Sequence, residues 1–198
     1  MIFKKRNCMK SIDPLIRKRH SARAIDPDRP VPDETLETLI EAARWAPSCF
    51  NNQPWRIVVS KDKSLPKVKE CLSRGNGWAQ DAPVIFTFAS KPELGCQKTG
   101  RDYFPLDLGL AIENILLQGI SMGLVMHPIA GFDEILLKES LRIPDEYRVH
   151  ALVIVGHPLP AERMESSQRE KEAQPSERKS AEEIVSWEGW PQLSDEKI

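Results

Sequence analysis

Between Leu36 and Ala46 the apolar residues fall at Leu36, Leu39, Ile40, Ala43 and Ala46. That three-and-four spacing places them on one face of a helix. Asp33 stands where a cap would start it and Pro47 where it must stop. A shorter helix is signalled earlier by Asp13-Pro14, a cap followed by proline, with Leu15 and Ile16 as its apolar side. Pro27, Pro30 and Pro32 keep the chain between the two helices extended. Arg56 to Ser60 reads as a strand. Pro83 to Ala89 and Val149 to Val155 read as strong, buried strands, and Leu124 to His127 as a short one. Ser64 to Ser73 predicts a helix ended by Gly75-Asn76-Gly77, and Asp133 caps another that runs through Leu141.

Phe104 to Met122 is apolar on most sides, which predicts a buried helix. Asp107, Glu113, Asn114 and Gln118 interrupt it, so it suits a central core helix or a dimer interface better than a membrane. Glu93 to Tyr103 has neither helical nor strand periodicity and is expected to be a mobile loop. Residues 158–179 are polar and charged and read as a linker or an extended arm. Ala181 to Trp187 regains apolar character, as a segment seeking a surface beyond its own core would. Helices interleaved with about four strands predict layers of helix and sheet. The whole chain, residues 1–198, reads as one domain, with residues 1–9 as a flexible N-terminus.

Composition adds bounds. The chain is 40% hydrophobic and 29% charged, with a formal net charge of −1. That supports a globular core and gives no basic excess for nucleic acid. Any anion site must be local. The basic start, Met1 to Arg6, is followed by no apolar run of signal or membrane-spanning length, so a soluble, cytoplasmic protein is expected. Cys8, Cys49, Cys71 and Cys96 form no C-x-x-C pair and have no zinc-ligand spacing with the histidines. A chain of this size needs no staples, so reduced thiols are expected.

Gly119-Ile120-Ser121-Met122-Gly123 matches the G-x-S-x-G hydrolase pattern, but its serine lies near a helix end rather than after a strand. No G-x-G-x-x-G and no P-loop is present. His127, His150 and His157 have no metal-like spacing and read as structural.

Three segments retain chemical interest. Arg19, His20, Ser21 and Arg23 place cationic groups and a hydroxyl within five residues, a pattern suited to phosphate. Alone, it reads first as a solvated basic turn. Pro47-Ser48-Cys49-Phe50-Asn51-Asn52-Gln53-Pro54-Trp55 is a loop framed by prolines and dense in small donors and acceptors. Its stiffness would preorganise its amides for a ligand, with Trp55 in the core. Pro128-Ile129-Ala130-Gly131-Phe132-Asp133 leaves a strand and enters a helix, with Ala130 and Gly131 small enough for a planar ligand to approach the backbone.

Taken in order, Arg19-His20-Ser21-Ala22-Arg23, the full Pro47–Trp55 loop and Gly131-Phe132-Asp133 resemble the nitroreductase family of flavin enzymes, over about residues 12–190. The resemblance implies an α+β fold with a central, mostly antiparallel sheet, helices on both sides, and an intertwined homodimer holding FMN. It implies that Arg19 and Ser21 hold the FMN phosphate, with Arg178 returning to it late in the chain. His20 would sit beside the cofactor. Arg23 would lie at the pyrimidine edge, where its charge favours anionic reduced flavin. Pro47, Ser48, Cys49 and Asn51 would reach the partner's FMN. Pro128, Ile129, Ala130 and Gly131 would line the ring, with main-chain N–H groups near N5, and Asn76 would touch the flavin. The implied activity is hydride transfer from NAD(P)H through the flavin to a nitroaromatic, quinone or similar acceptor, with no side-chain nucleophile. The alternatives are an FMN-binding or storage protein without turnover, and a related dehydrogenase or dehalogenase acting on one metabolite. Two positions depart from the family pattern. Ala130 stands where Gly or Glu is frequent, which keeps a main-chain donor, and Cys49 stands where serine is common.

Overall fold

The computed structural model describes residues 12–174 and 176–190. The N-terminus expected to be flexible, residues 1–9, and Cys8 within it lie outside the described residues. In chain order the elements are helix α1 (Pro14–Lys18), helix α2 (Asp33–Arg44), strand β1 (Arg56–Ser60), helix α3 (Leu65–Glu70) and strand β2 (Val84–Ser90). The short strands β3 (Gln97–Lys98) and β4 (Arg101–Asp102) precede the long helix α4 (Phe104–Ser121). Strand β5 (Val125–Ile129), helix α5 (Glu134–Leu141), strand β6 (Arg148–Gly156) and helices α6 (Ser166–Ala173) and α7 (Ala181–Ile184) complete the chain.

The main sheet has the order β1-β2-β6-β5, and each neighbouring pair is antiparallel. Its central strands are apolar on both faces because helices cover both. Val84, Phe86, Phe88, Val153 and Val155 join the core built with α2 and α4. Their neighbours Ile85, Ala89, Leu152 and Ile154 join a second core with α3 and α5. This alternation is the period-two geometry of a strand read on two sides. Phe86 and Phe88 are fully buried, and each side chain contributes about 1.5–3 kcal/mol of transfer free energy. The α+β architecture, with a mostly antiparallel sheet between helical layers, is the expected one.

Several local expectations are corrected. Helix α2 begins at Asp33 itself; Pro32 holds the cap position, and the Asp33 carboxylate pairs with Lys61. Asp133, in contrast, does cap α5, accepting from the Leu136 amide at 3.0 Å. Helix α4 is not buried all round: Leu106 is 58% and Leu110 37% exposed. The stretch read as a mobile loop folds into the β3–β4 hairpin, turned by Thr99 and Gly100 with φ of 51° and 74°. Two-residue strands are too short for their alternation to register in sequence.

The polar stretch 158–179 is not extended throughout. It doubles back on the N-terminal segment, with Leu159 N–H donating to the Ala24 carbonyl at 3.0 Å and Arg163 bridging Asp26 and Asp28 at 2.8 and 2.7 Å. It then forms α6, started by a capping box between Glu165 and Gln168. The expectation of reduced thiols also fails at one pair. Cys49 and Cys96 are joined by a disulfide, with Cα atoms 6.0 Å apart, while Cys71 is free and buried. Among the described residues no helix is long and apolar enough to cross a membrane, and no group of three potential metal ligands converges.

Candidate functional site

Helix α1 ends where the Arg19 amide donates to the Leu15 carbonyl, and the chain then runs extended. Ala24, Ile25 and Asp26 are buried, and the Asp26 amide donates to the His157 carbonyl at 2.9 Å. These anchors hold the segment before them, Arg19 to Arg23, beside β5, where the Ala22 carbonyl meets His127. There it forms one wall of a cavity of about 530 Å³. The opposite wall comes from α6 and the chain just after it, through Lys171, Glu172, Gln174, Ser176 and Arg178. The four residues singled out near the N-terminus, Arg19, His20, Ser21 and Arg23, therefore share a cavity with Arg178. A concentration of guanidinium groups in a concave site suits a phosphate or another anion.

One carboxylate sits inside this basic cluster. Glu172 Oε1 accepts from the backbone N–H groups of Arg23 and Ala24 at 2.7 and 2.9 Å, and its other oxygen lies 3.6 Å from His20 Nε2. Glu172 thus ties α6 to the Arg19–Arg23 segment and lines the cavity. Nothing in its sequence surroundings marks it, because the backbone amides it accepts from and the His20 ring all lie far away in the chain.

His127 of β5 also lines the cavity. Its Nδ1 lies 2.9 Å from the Ala22 carbonyl. Its ring stacks on Trp78 with centroids 4.5 Å apart, and the Arg23 guanidinium lies 5.9 Å from the centre of the Trp78 ring. Burial pushes the His127 imidazole below the ordinary histidine range; the nearby Arg23 and Arg19 charges add to this and the Ala22 carbonyl opposes it. No local pattern around His127 marks this placement, since a lone strand histidine most often belongs to the core.

Beyond His127 the chain continues along β5 through Pro128 and Ile129 to Ala130 and Gly131. Gly131 packs against the turn that follows α3. Its carbonyl accepts from the Ser73 amide at 3.1 Å and from Asn76 Nδ2 at 2.8 Å. A Cβ at Gly131 would meet Ser73 Oγ at 2.5 Å and Asn76 Nδ2 at 2.6 Å, so glycine is required by this close approach. Among the described residues the Gly131 amide donates to no acceptor. Asn76 lies in the 3-10 segment Arg74–Asp81 rather than at a simple helix stop, and its side-chain amide is spent on holding Gly131. Neither Asn76 nor the Pro128–Gly131 run lines the cavity itself; they lie next to it through His127.

The Pro47–Trp55 loop is elsewhere. Pro47, Ser48, Cys49 and Asn51 do not line the cavity of their own chain. Trp55 is buried in the core, while Trp45 and Phe50 are 78% and 80% exposed. Phe50, Asn51 and Gln53 hold left-handed φ values of 51°, 57° and 48°. Such backbone costs of order 1 kcal/mol or more per residue and persists only where other contacts enforce it. Here they do. The Cys49 amide donates to the buried Asp107 carboxylate at 3.1 Å, the Gln53 amide to Ser48 Oγ at 3.0 Å, and Ser90 Oγ to the Pro54 carbonyl at 2.8 Å. The Cys49–Cys96 disulfide adds a covalent tie. The stiffness expected from the two prolines comes largely from these bonds. Cys49, being oxidised, has no S–H to donate. Ser121 is also settled: it ends α4 and donates back to the Gln118 carbonyl at 2.7 Å, with none of the context of a nucleophile elbow.

The chain is similar to known proteins in sequence and in fold. The model of the nitroreductase family matches residues 16–157. A relative from Archaeoglobus fulgidus, named provisionally as an NADH dehydrogenase/NAD(P)H nitroreductase, is 32% identical over 149 residues, covering 73% of this chain and 83% of its own. A crystal structure described as an oxidoreductase containing FMN superposes with a TM-score of 0.80 at 32% identity, covering 92% of this chain and 93% of its own. A provisionally assigned nitroreductase from Desulfovibrio desulfuricans, solved in complex with FMN, superposes with a TM-score of 0.72 at 25% identity, covering 91% of this chain and 100% of its own. A basic cavity closed from both ends of the chain, an antiparallel sheet between helical layers and the extent of these matches lead to one assignment: the chain belongs to the nitroreductase family, a family of oxidoreductases.

Proposed function

We propose that this chain is an FMN-dependent oxidoreductase that takes hydride from NADH or NADPH and passes it to a nitroaromatic, quinone or similar small acceptor, working as a homodimer. The observation that carries this reading is the cavity where Arg19, Ser21 and Arg23 meet Arg178. It supplies a built anion site to residues that alone made only a basic turn. Arg19, Ser21 and Arg178 would hold the FMN phosphate, with His20 beside it. Pro128, Ile129, Ala130 and Gly131 would face the isoalloxazine ring, with the free Gly131 amide as donor. Asn76 would act mainly by fixing Gly131, leaving its carbonyl oxygen for the flavin. Flavin bound there would supply the two-electron chemistry, accepting hydride at N5 and returning it.

The protein's part is placement and charge. Arg23, stacked over Trp78, would favour negative charge on the reduced pyrimidine. Arg23→Ala is expected to slow flavin reduction more than it weakens FMN retention. A homodimer would account for the Pro47–Trp55 loop: it does not line its own chain's cavity, and it would offer Pro47, Ser48, Cys49 and Asn51 to the partner's FMN. It also accounts for large apolar side chains left in water. Leu106 of α4, Phe50 of the loop, and Ile184, Trp187 and Trp190 near the described C-terminus are between 58% and 89% exposed.

The test is spectroscopic. Purified protein should carry a flavin absorbance spectrum, and anaerobic mixing with NADH or NADPH should bleach it, with colour restored by a quinone or nitroaromatic. Flavin that binds but is reduced by neither nucleotide would replace the enzyme reading with an FMN-binding protein. Protein that takes up no FMN would remove both.

A further inference from the structure

We propose that His127 is a cofactor-binding residue whose Nε2 accepts a hydrogen bond from a hydroxyl of the flavin's ribityl chain. This rests on the FMN reading and assigns a contact that the basic residues cannot make.

The argument begins with the tautomer. Nδ1 lies 2.9 Å from the Ala22 carbonyl oxygen, and a carbonyl can only accept. Nδ1 therefore carries the proton, and in the neutral ring Nε2 is a bare acceptor. Burial, with the Arg23 and Arg19 charges, outweighs the opposing Ala22 carbonyl and Glu172 carboxylate and holds the imidazole below its ordinary range, which favours the neutral ring. Turning the ring over to exchange its nitrogens would lose the Ala22 contact, and Trp78, with its ring centroid 4.5 Å away, packs against the imidazole face. Among the described residues Nε2 has no hydrogen-bond partner, yet it is not one of the sealed, unpartnered atoms of the core. His127 is 8% exposed, and the space it borders is the cavity.

The ligand group that can satisfy Nε2 follows from charge. A lone pair repels a phosphate oxygen and needs a donor. Phosphate belongs to the guanidinium groups of the cavity. The planar ring belongs to Ala130 and Gly131, three and four residues further on in the chain. At about 3.3 Å per strand residue, His127 lies roughly 7 Å before the end of β5 at Ile129, and Ala130 and Gly131 follow directly. A polyol linking a phosphate to a flat ring passes His127 on the way between them, and its hydroxyls are the donors available.

The test uses full-length protein and two probes, FMN and lumiflavin, which has the ring without the ribityl chain or phosphate. His127→Leu is expected to weaken FMN binding about tenfold, the loss of one hydrogen bond with a desolvated partner left behind. It should leave lumiflavin binding unchanged. His127→Gln, which can accept through its side-chain oxygen, should recover most of the FMN affinity. In wild-type protein labelled with nitrogen-15 at histidine, the His127 Nε2 resonance should move on adding FMN and stay still on adding lumiflavin. If His127→Leu folds poorly, the glutamine variant and the resonance still decide. Equal FMN affinity in wild type and both variants, with a static resonance, would overturn the inference while leaving FMN binding intact. An equal loss for FMN and lumiflavin would also overturn it, by moving the contact to the ring. Wild-type protein that binds no FMN would overturn the cofactor reading and this inference together.

Discussion

Replacing Cys96 by serine removes the one covalent tie between the Pro47–Trp55 loop and the β3–β4 hairpin. The disulfide closes a loop with a sequence separation of 47 residues. In the chain-entropy treatment, closing about 47 residues restricts the unfolded ensemble by roughly 14 cal/mol/K, or about 4 kcal/mol at room temperature. For a chain of this size each kcal/mol moves the melting temperature by about 2–4 °C, so the expected fall is roughly 8–16 °C. Urea unfolding of wild type, Cys49→Ser, Cys96→Ser and the double variant measures it directly. Because one bond is lost in every case, the double variant should fall no further than the worse single variant. A local effect should accompany the global one. The left-handed residues Phe50, Asn51 and Gln53 would rest on hydrogen bonds alone, so hydrogen exchange in this loop should rise more than in β2. Two separate, additive losses below about 1 kcal/mol each would refute the reasoning. So would alkylation of both Cys49 and Cys96 in denaturant without a reductant.

Gly131→Ala places a Cβ 2.5 Å from Ser73 Oγ and 2.6 Å from Asn76 Nδ2, so those side chains must move and the Asn76 bond to the Gly131 carbonyl is strained. A loss of about 1–3 kcal/mol in urea unfolding is expected, with faster release of FMN; a variant as stable as wild type would show that the turn yields freely. Glu134 accepts from Arg148 Nε at 2.9 Å, Arg148 Nη2 at 2.9 Å and the Val149 amide at 2.9 Å, and the Arg148 contact is the main reason its carboxyl is held below the ordinary range. A carboxyl depressed in the folded state stabilises fully above its unfolded value, and that contribution disappears as pH falls through the folded value. Glu134→Gln should therefore flatten the acid side of the stability profile and leave its slope at neutral pH unchanged; parallel profiles for the two proteins would count against the pair.

Elements whose signal lies between near neighbours in the chain were legible in the sequence. The apolar stripe of α2, strand β1 and the Asp133 cap of α5 each depend on contacts a few residues apart, and residues 56–60 are the strand as read. The central strands were legible as buried because both of their faces are apolar, although which face meets which helix was not. Where a polar residue had two possible partners, prediction failed. Asp33 reads as a cap by its type, but Pro32 fixed the backbone ahead of it and Lys61 took its carboxylate. The β3–β4 hairpin was lost because its strands are two residues long.

The sequence by itself determined the residue types at the candidate site and their order: a basic segment, a proline-framed loop and a small-residue turn. It also carried the family resemblance, since those motifs are local. Only the tertiary structure decided which of them meet. Arg178 shares a cavity with Arg19 and Ser21 because α6 is drawn back by Glu172, whose hydrogen bonds go to two backbone amides with no side-chain signature. Cys49 and Cys96 pair because the loop and the hairpin converge at the start of α4, a proximity that spacing along the chain does not encode. His127 becomes a candidate ligand because Ala22 and Trp78 fix its ring while one nitrogen stays open to the cavity. Each of these depends on groups far apart in sequence, and their encounter is set by packing of the whole sheet and its helices rather than by any local propensity.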